Sequence, residues 1–591
     1  MIKRIKQIKK LNKILPLLVI LFGLIFISSC TTNQVDANII KIDVDIKASD
    51  NTFYIDEFDL SDYKLKLYLD NDLIEKVALS KDMFNEEDLE KLTKPGKHTL
   101  TVTYKGFTDE FTIVLTDLNE SALFTLNIFE LNDTHGYIEQ NEDGKGGLSN
   151  TAQMIDNERL KNSLDDCLLV ANGDMFQGTA ISNLTEGKAV IDAMNEMDFD
   201  CMGIGNHEFD WGLSKILRFF DNDKSNGEAN FPLINSNIVE RNTNKLLLLE
   251  GGNMSESIIV EKEGINIGIF SFIGDVSSSI GTSVYAPYLI KTDIETRAKR
   301  ICADLKNNGA DIILVNIHGG NSSGVEKYDY NQILSKIMYN GEYVVDAIIN
   351  GHTHTRQKGY ITRVGGVNVP VVQSSGNNAS IGKIELVIDK STKDVIDSSI
   401  YNLNVSDASY NANVESVIDE YSNTVTGEVY SIAGETVSSK TSVGIWAASI
   451  LRKATGADIA LINTGGIRSN GGIVKGENIT VNNMYEIMPF NNQVCITHMK
   501  ASDAYDLIDS SWYYYYTNLS IKDLENKDYY VTVVTVDYVF DKDYFPNNKL
   551  GKKLDLYTTD LLIMEARLHD VLYISNTNNI KIDQLVEYEY E

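Results

Sequence analysis

Cationic residues are scarce: the 591-residue chain carries 53 Lys and Arg against 84 Asp and Glu, a net charge of −31. A surface of that sign repels a nucleic-acid backbone, which is gripped by clustered cations, so no nucleic-acid partner is expected. A small basic pocket for an anionic substrate remains compatible with it. Proline is sparse, at 7 residues, and neither a low-complexity tract nor an internal repeat interrupts the chain. The composition is that of globular domains, several of them at this length. Cysteine numbers 5, and no pair has the CxxC or CxxxC spacing of a thiolate metal site. Past Cys30 these are Cys167, Cys201, Cys302 and Cys495; three lie in apolar runs, where a free thiol behaves as a small hydrophobe. A Cys167–Cys201 disulfide stays open, because sequence cannot supply its geometry.

A long hydrophobic run occurs at the N-terminus. "MIKRIKQIKKLNK" is basic and "ILPLLVILFGLIFI" is apolar but short for a membrane span, the pattern of a secretory signal, with an uncleaved anchor as the alternative. "ISSC", Ile27 to Cys30, resembles a bacterial lipobox. That resemblance implies a signal peptide over 1–29, a lipidated Cys30, a tether over 30–36 and a place on the extracellular face of the cell membrane.

Residues 37–118 alternate apolar and polar, as in "IIKIDVDI" and "GKHTLTVTYKGFTDEFTIVL", which predicts a small antiparallel β-sandwich. It resembles bacterial immunoglobulin-like domains, and a spacer role is expected for it. From 123 to 400 short apolar strands alternate with amphipathic stretches, predicting an α/β domain. A helical connector over 401–435 and a second α/β domain over 436–591 follow.

Histidine is also rare, with 8 in the chain, yet five follow predicted strands of the middle domain. "FTLNIFELNDTHG" ends in Asp133 and His135, "CLLVANGDMFQG" in Asp174, "CMGIGNHEFD" in Asn206 and His207, "DIILVNIHGG" in His318, and "VVDAIINGHTH" in His352 and His354. Sites of open α/β sheets gather outside the carboxyl ends of strands. Carboxylate, imidazole and amide donors suit Mn, Zn, Fe or Co. The set is too large for one ion, and suits two ions about 3.5–4 Å apart, as in phosphate-ester hydrolases.

"NDTHG", "NGDMFQG", "GNHEFD", "NIHGG" and "GHTHT" together resemble the blocks of calcineurin-like metallophosphoesterases, specifically the 5′-nucleotidase family. The resemblance implies a four-layer α/β/β/α domain. It places Asp133, His135, Asp174 and His354 on one metal, and Asp174, Asn206, His318 and His352 on a second. His207, oriented by Asp210, would act on the reacting phosphate, and Glu208 would be structural. Residues 436–591 would be the substrate domain: "NTGGIR" supplies Asn463, Gly465, Gly466 and Arg468, and Phe490 and Tyr538 would stack on a base. Cleavage of nucleoside 5′-monophosphates is the expected activity, with 2′,3′-cyclic nucleotides or UDP-sugars as further candidates. Two departures bear on substrate. Lys440, Ile445 and Ala448 stand where the family carries arginine and "LGN…D", and "DKDYF" replaces a glycine-rich loop. They motivate two alternatives, a non-nucleotide ester as substrate and an adhesin that retains the fold.

Overall fold

The computed structural model describes residues 38–586 except 47–51, 56–57, 72, 117–122, 141–145, 162–165, 320–328, 365, 406–408 and 526. The expected signal peptide and tether, with Cys30, lie outside the described residues.

The first unit has two three-stranded sheets. Their orders are Ile39–Val44, Lys64–Leu69, Ile74–Ala78 and Thr52–Tyr54, Phe107–Thr116, Gly96–Tyr104. Leu65, Leu67, Leu100, Val102, Phe111 and Ile113 fill a core shared by both sheets. A two-residue hairpin joins Tyr104 to Phe107, with Lys105 at φ 49° and Gly106 at φ 86°, the positive pair that matches strand twist. One pairing departs from the expected antiparallel arrangement: Thr52–Tyr54 runs parallel to Phe107–Thr116. Alternation reports which face of a strand is buried, not the direction of its neighbour.

The middle unit stacks two mixed sheets. The first runs Met254–Ser255, Leu233–Ile234, Cys201–Gly203, Cys167–Asn172, Leu123–Leu131, Ser380–Asp389, Val395–Asn404. The second runs Ser257–Lys262, Ile265–Ile273, Ile312–His318, Ala347–Gly351, Asn368–Gln373, Gln357–Thr362. Leu126, Ile128 and Val170 of one sheet meet Ile267, Leu314 and Ile349 of the other in a dry layer. Helices Gly147–Arg159 and Lys188–Glu196 cover the first sheet's outer face, and Ile294–Asn307 the second's. Cys167 and Cys201 sit on adjacent strands but opposite faces, one in the helix-side core and one between the sheets. Both are free, which settles the open disulfide.

Helix Ala412–Tyr421 leads through a wide turn at Ser422–Thr426 to strand Val429–Ala433. That strand, inside the span expected as connector, pairs with Asn478–Thr480 and Val571–Leu572 of the last unit. A five-stranded sheet there has the order Tyr513–Thr517, Ile459–Asn463, Tyr530–Val536, Gln493–Lys500, Lys552–Tyr557. Helix Lys440–Thr455 starts on a Ser439 cap, whose side chain accepts from Thr441 N–H, and stops at left-handed Gly456. The tyrosine run forms an edge strand on this helix: a β-carbon at Gly444 would lie 2.3 Å from the Tyr514 ring. Asn183 of the middle unit donates to Pro489 O (3.0 Å) of the last, next to the packing of Ala180 on Val481 and Tyr485.

Candidate metal centre and substrate cleft

The parallel strands of both sheets end at one edge, and Asp133, His135, Asp174, Asn206, His207, Asp210, His318, His352 and His354 all arrive there. Tight turns are required to present them. Asp133, His135, Asp174, His352 and His354 all adopt left-handed backbone, with φ of 52°, 51°, 55°, 81° and 52°. Such a conformation costs a non-glycine residue about 1–3 kcal/mol and clusters at functional sites. The flanking glycines answer to packing: a β-carbon on Gly205 would lie 2.3 Å from Asp174 Oδ1.

Neighbouring backbone orients the imidazoles. His135 Nδ1 lies 2.9 Å from Gln177 O, and His318 Nδ1 2.8 Å from Asn172 O. Since a carbonyl only accepts, each Nδ1 carries the proton and each Nε2 presents a lone pair when the ring is neutral. The His135 and His354 Nε2 atoms are 3.0 Å apart. His318 Nε2 lies 3.0 Å from Asp174 Oδ2 and 3.3 Å from Asn206 Oδ1. Burial alone would lower the His318 pKa, but Asp174 lifts it to about 10. Asp174 itself is held well below the usual carboxylate range, chiefly by His318 and His207, against burial that would raise it. This pair therefore calls for positive charge between them, as a proton or as a metal ion.

The donors fit metal. Asp133 Oδ1 and Asp174 Oδ2 are buried, and each faces an imidazole nitrogen, His354 Nε2 at 3.4 Å and His318 Nε2 at 3.0 Å, in place of a settled hydrogen-bond donor, a costly state for an anion. Ligand atoms of Asp133, His135 and His354, of His135, Asp174 and His207, and of Asp174, His318 and His352 fall in three sets, each within 4.8 Å. Asp174 and His135 are each common to two of these sets. His207 enters one set, but its Nδ1 is 2.7 Å from Asp210 Oδ2. Burial would depress it, yet Asp210 and Asp174 raise its pKa to about 9, and with Nδ1 held by Asp210 its open nitrogen is Nε2.

Glu208 is not a ligand. It accepts from the backbone N–H of Asp174 (2.8 Å), Met175 (2.8 Å) and Gly205 (2.6 Å).

A cleft of about 500 Å³ opens from the cluster toward the last unit and is lined by Asn463, Gly465, Gly466, Arg468, Phe490 and Tyr538. Phe490 stacks on His207, with centroids 5.8 Å apart at 26°, and the Arg468 guanidinium lies 4.8 Å from its ring centre. Lys542 sits 4.4 Å over Tyr538. Lys440, Ile445 and Ala448 are not among the lining residues. Sequence reasoning missed the wall from Ser279 to Val284, which nothing but its polar "SSSIGTS" composition advertised. It also missed Asn492, Asp537 and Asp541, although Asp537 adjoins Tyr538.

Comparison with known proteins agrees with this geometry. Residues 126–356 match the calcineurin-like phosphoesterase family, and residues 424–552 match the 5'-nucleotidase, C-terminal domain family. A protein named endonuclease YhcR, from Bacillus subtilis, is 27% identical over 77% of this chain and 37% of its own length. A 2',3'-cyclic-nucleotide 2'-phosphodiesterase/3'-nucleotidase from Salmonella typhimurium is 27% identical over 41% of this chain and 38% of its own. The match thus spans under two-fifths of either relative. The crystal structure of a 5'-nucleotidase precursor from Thermus thermophilus shares the fold at 19% identity, with TM-score 0.59, over 76% of this chain and 97% of that one. With both characteristic domains present in order around one cleft, the chain belongs to the 5′-nucleotidase family of calcineurin-like metallophosphoesterases.

Proposed function

We propose that the chain is a two-metal phosphoesterase that releases phosphate from nucleoside 5′-monophosphates, with 2′,3′-cyclic nucleotides or UDP-sugars as further substrates. The observation that carries this reading is the continuity of one cleft. Asp174, Asn206, His352 and His354 of the metal cluster line it together with His207, Arg468 and the rings of Phe490 and Tyr538.

Two divalent ions of Mn, Zn, Fe or Co would be held by Asp133, His135, Asp174 and His354, and by Asp174, Asn206, His318 and His352, and would supply Lewis acidity to the phosphoryl group and the attacking water. The chain supplies the rest. His207 Nε2 donates a proton or hydrogen bond to the phosphate or its leaving oxygen, while Asp210 holds its Nδ1–H and favours the imidazolium. Arg468 pairs with the phosphate as substrate enters, the glycines of Asn463–Gly466 let it approach, and Phe490 and Tyr538 stack on the base.

A rotation of the last unit between binding and turnover would carry a substrate held by Arg468, Phe490 and Tyr538 to the metal cluster.

The two-sheet N-terminal unit fits an immunoglobulin-like spacer, lifting the enzyme from the extracellular face of the membrane to which Cys30 would be lipid-anchored. A nucleic acid is a poor substrate for a chain of net charge −31, even though one relative is named an endonuclease.

A phosphate-release panel on residues 31–591, with AMP, other monophosphates, 2′,3′-cyclic nucleotides, UDP-glucose and sugar phosphates, each with and without EDTA, tests the reading. Chelator-sensitive release from nucleotides supports it. Release only from sugar phosphates favours the non-nucleotide ester suggested by Lys440, Ile445 and Ala448. No release from any ester favours a surface adhesin.

A further inference from the structure

The wall between Phe490 and Tyr538 carries a polar edge made by Asn492 and Asp537, both lining the cleft. Asn492 Nδ2 donates to Asp537 Oδ1 at 2.9 Å, and the Tyr538 backbone N–H donates to the same oxygen at 2.8 Å. A carboxylate only accepts, so this bond fixes the amide: its nitrogen faces Asp537 and its oxygen is turned elsewhere. Asp537 Oδ2 accepts no hydrogen bond among the described residues, and neither does Asn492 Oδ1. The nearby Asp541 is committed to Lys553, 2.6 Å away. The edge that a stacked ring would meet therefore offers Asp537 Oδ2 and Asn492 Oδ1 as open acceptors.

We infer that this edge selects the nucleobase, through donation from the base to Asp537, and that it ranks guanine first and uracil or thymine last. The inference rests on the nucleotide reading above. Guanine presents two adjacent donors, N1–H and the N2 amino group, either of which can reach the unpartnered Asp537 Oδ2. Adenine and cytosine each present an amino group. Uracil and thymine present a single N–H flanked by two carbonyl oxygens, which a carboxylate repels. Asn492 acts as a positioning residue that holds Asp537 in plane, and Asp537 touches the base.

The test is kcat/KM for GMP, AMP, CMP, UMP and ribose 5-phosphate with the metal-loaded full chain, repeated with Asp537→Asn. Ratios within each protein cancel any loss of folded material. The unsubstituted chain should favour GMP over UMP by roughly 5- to 100-fold, and in Asp537→Asn the ratio should approach one. Equal or better use of UMP by the unsubstituted chain overturns the inference alone. A GMP preference that survives Asp537→Asn overturns the role of Asp537. If no nucleotide exceeds ribose 5-phosphate, the nucleotide reading fails and takes this inference with it.

Discussion

The carboxylate of Glu208 accepts the backbone N–H of Asp174 at 2.8 Å, and with it those of Met175 and Gly205. Two strand-end loops, one bearing Asp174 and the other Asn206 and His207, are thereby tied through a side chain that touches no ligand position. Glu208→Ala would strand three buried N–H groups, each costing about 1–3 kcal/mol if unsatisfied. The expected result is a lower midpoint in chemical denaturation together with reduced metal content. An unchanged midpoint and full metal content would show that the loops hold themselves.

His207 should keep its metal-independent role when tested directly. His207→Ala is expected to lower kcat by roughly 10²–10⁴ while leaving metal content intact, as measured by elemental analysis. Loss of metal in that variant would make His207 a ligand, as its place in one of the three donor sets allows.

The pH profile follows from the same pair. Burial would lower the His207 pKa, but Asp210 and Asp174 outweigh it and raise it to about 9. The imidazolium is then present below that value and lost as pH rises through it, so kcat should fall on the alkaline side. Asp210→Asn removes the larger of the two raising charges, and the alkaline limb should move to lower pH. A limb that stays in place would dissociate the proton from this histidine.

Base stacking has its own signature. Phe490→Ala should raise KM for a nucleotide by the loss of roughly 1–3 kcal/mol of stacking, with a smaller effect on ribose 5-phosphate. Equal effects on both would assign Phe490 to packing against His207 and Arg468.

Much of the site was legible because strand-end placement is a sequence property: an apolar run followed by glycine, Asp and His declares both the strand and its edge. The family blocks implied divided roles within "GNHEFD", and the structure brings His207 and Asp210 into the contact those roles require. The left-handed backbone at Asp133, His135, Asp174, His352 and His354 was not readable, since Asp and His also occur freely in ordinary turns. The Ser279–Val284 wall was hidden for another reason. It contributes through position alone, far in sequence from every other cleft residue, and its small polar side chains read as a loop. The parallel pairing of Thr52–Tyr54 escaped because residue alternation carries no strand direction.

The central claim is that Asp174 serves two ions at once, and metal stoichiometry measured beside turnover tests it most directly. The unsubstituted chain should hold about two divalent ions and release phosphate only while they are present. Asp174→Asn should lose metal and turnover together. Full metal content with undiminished phosphate release in Asp174→Asn would contradict the account.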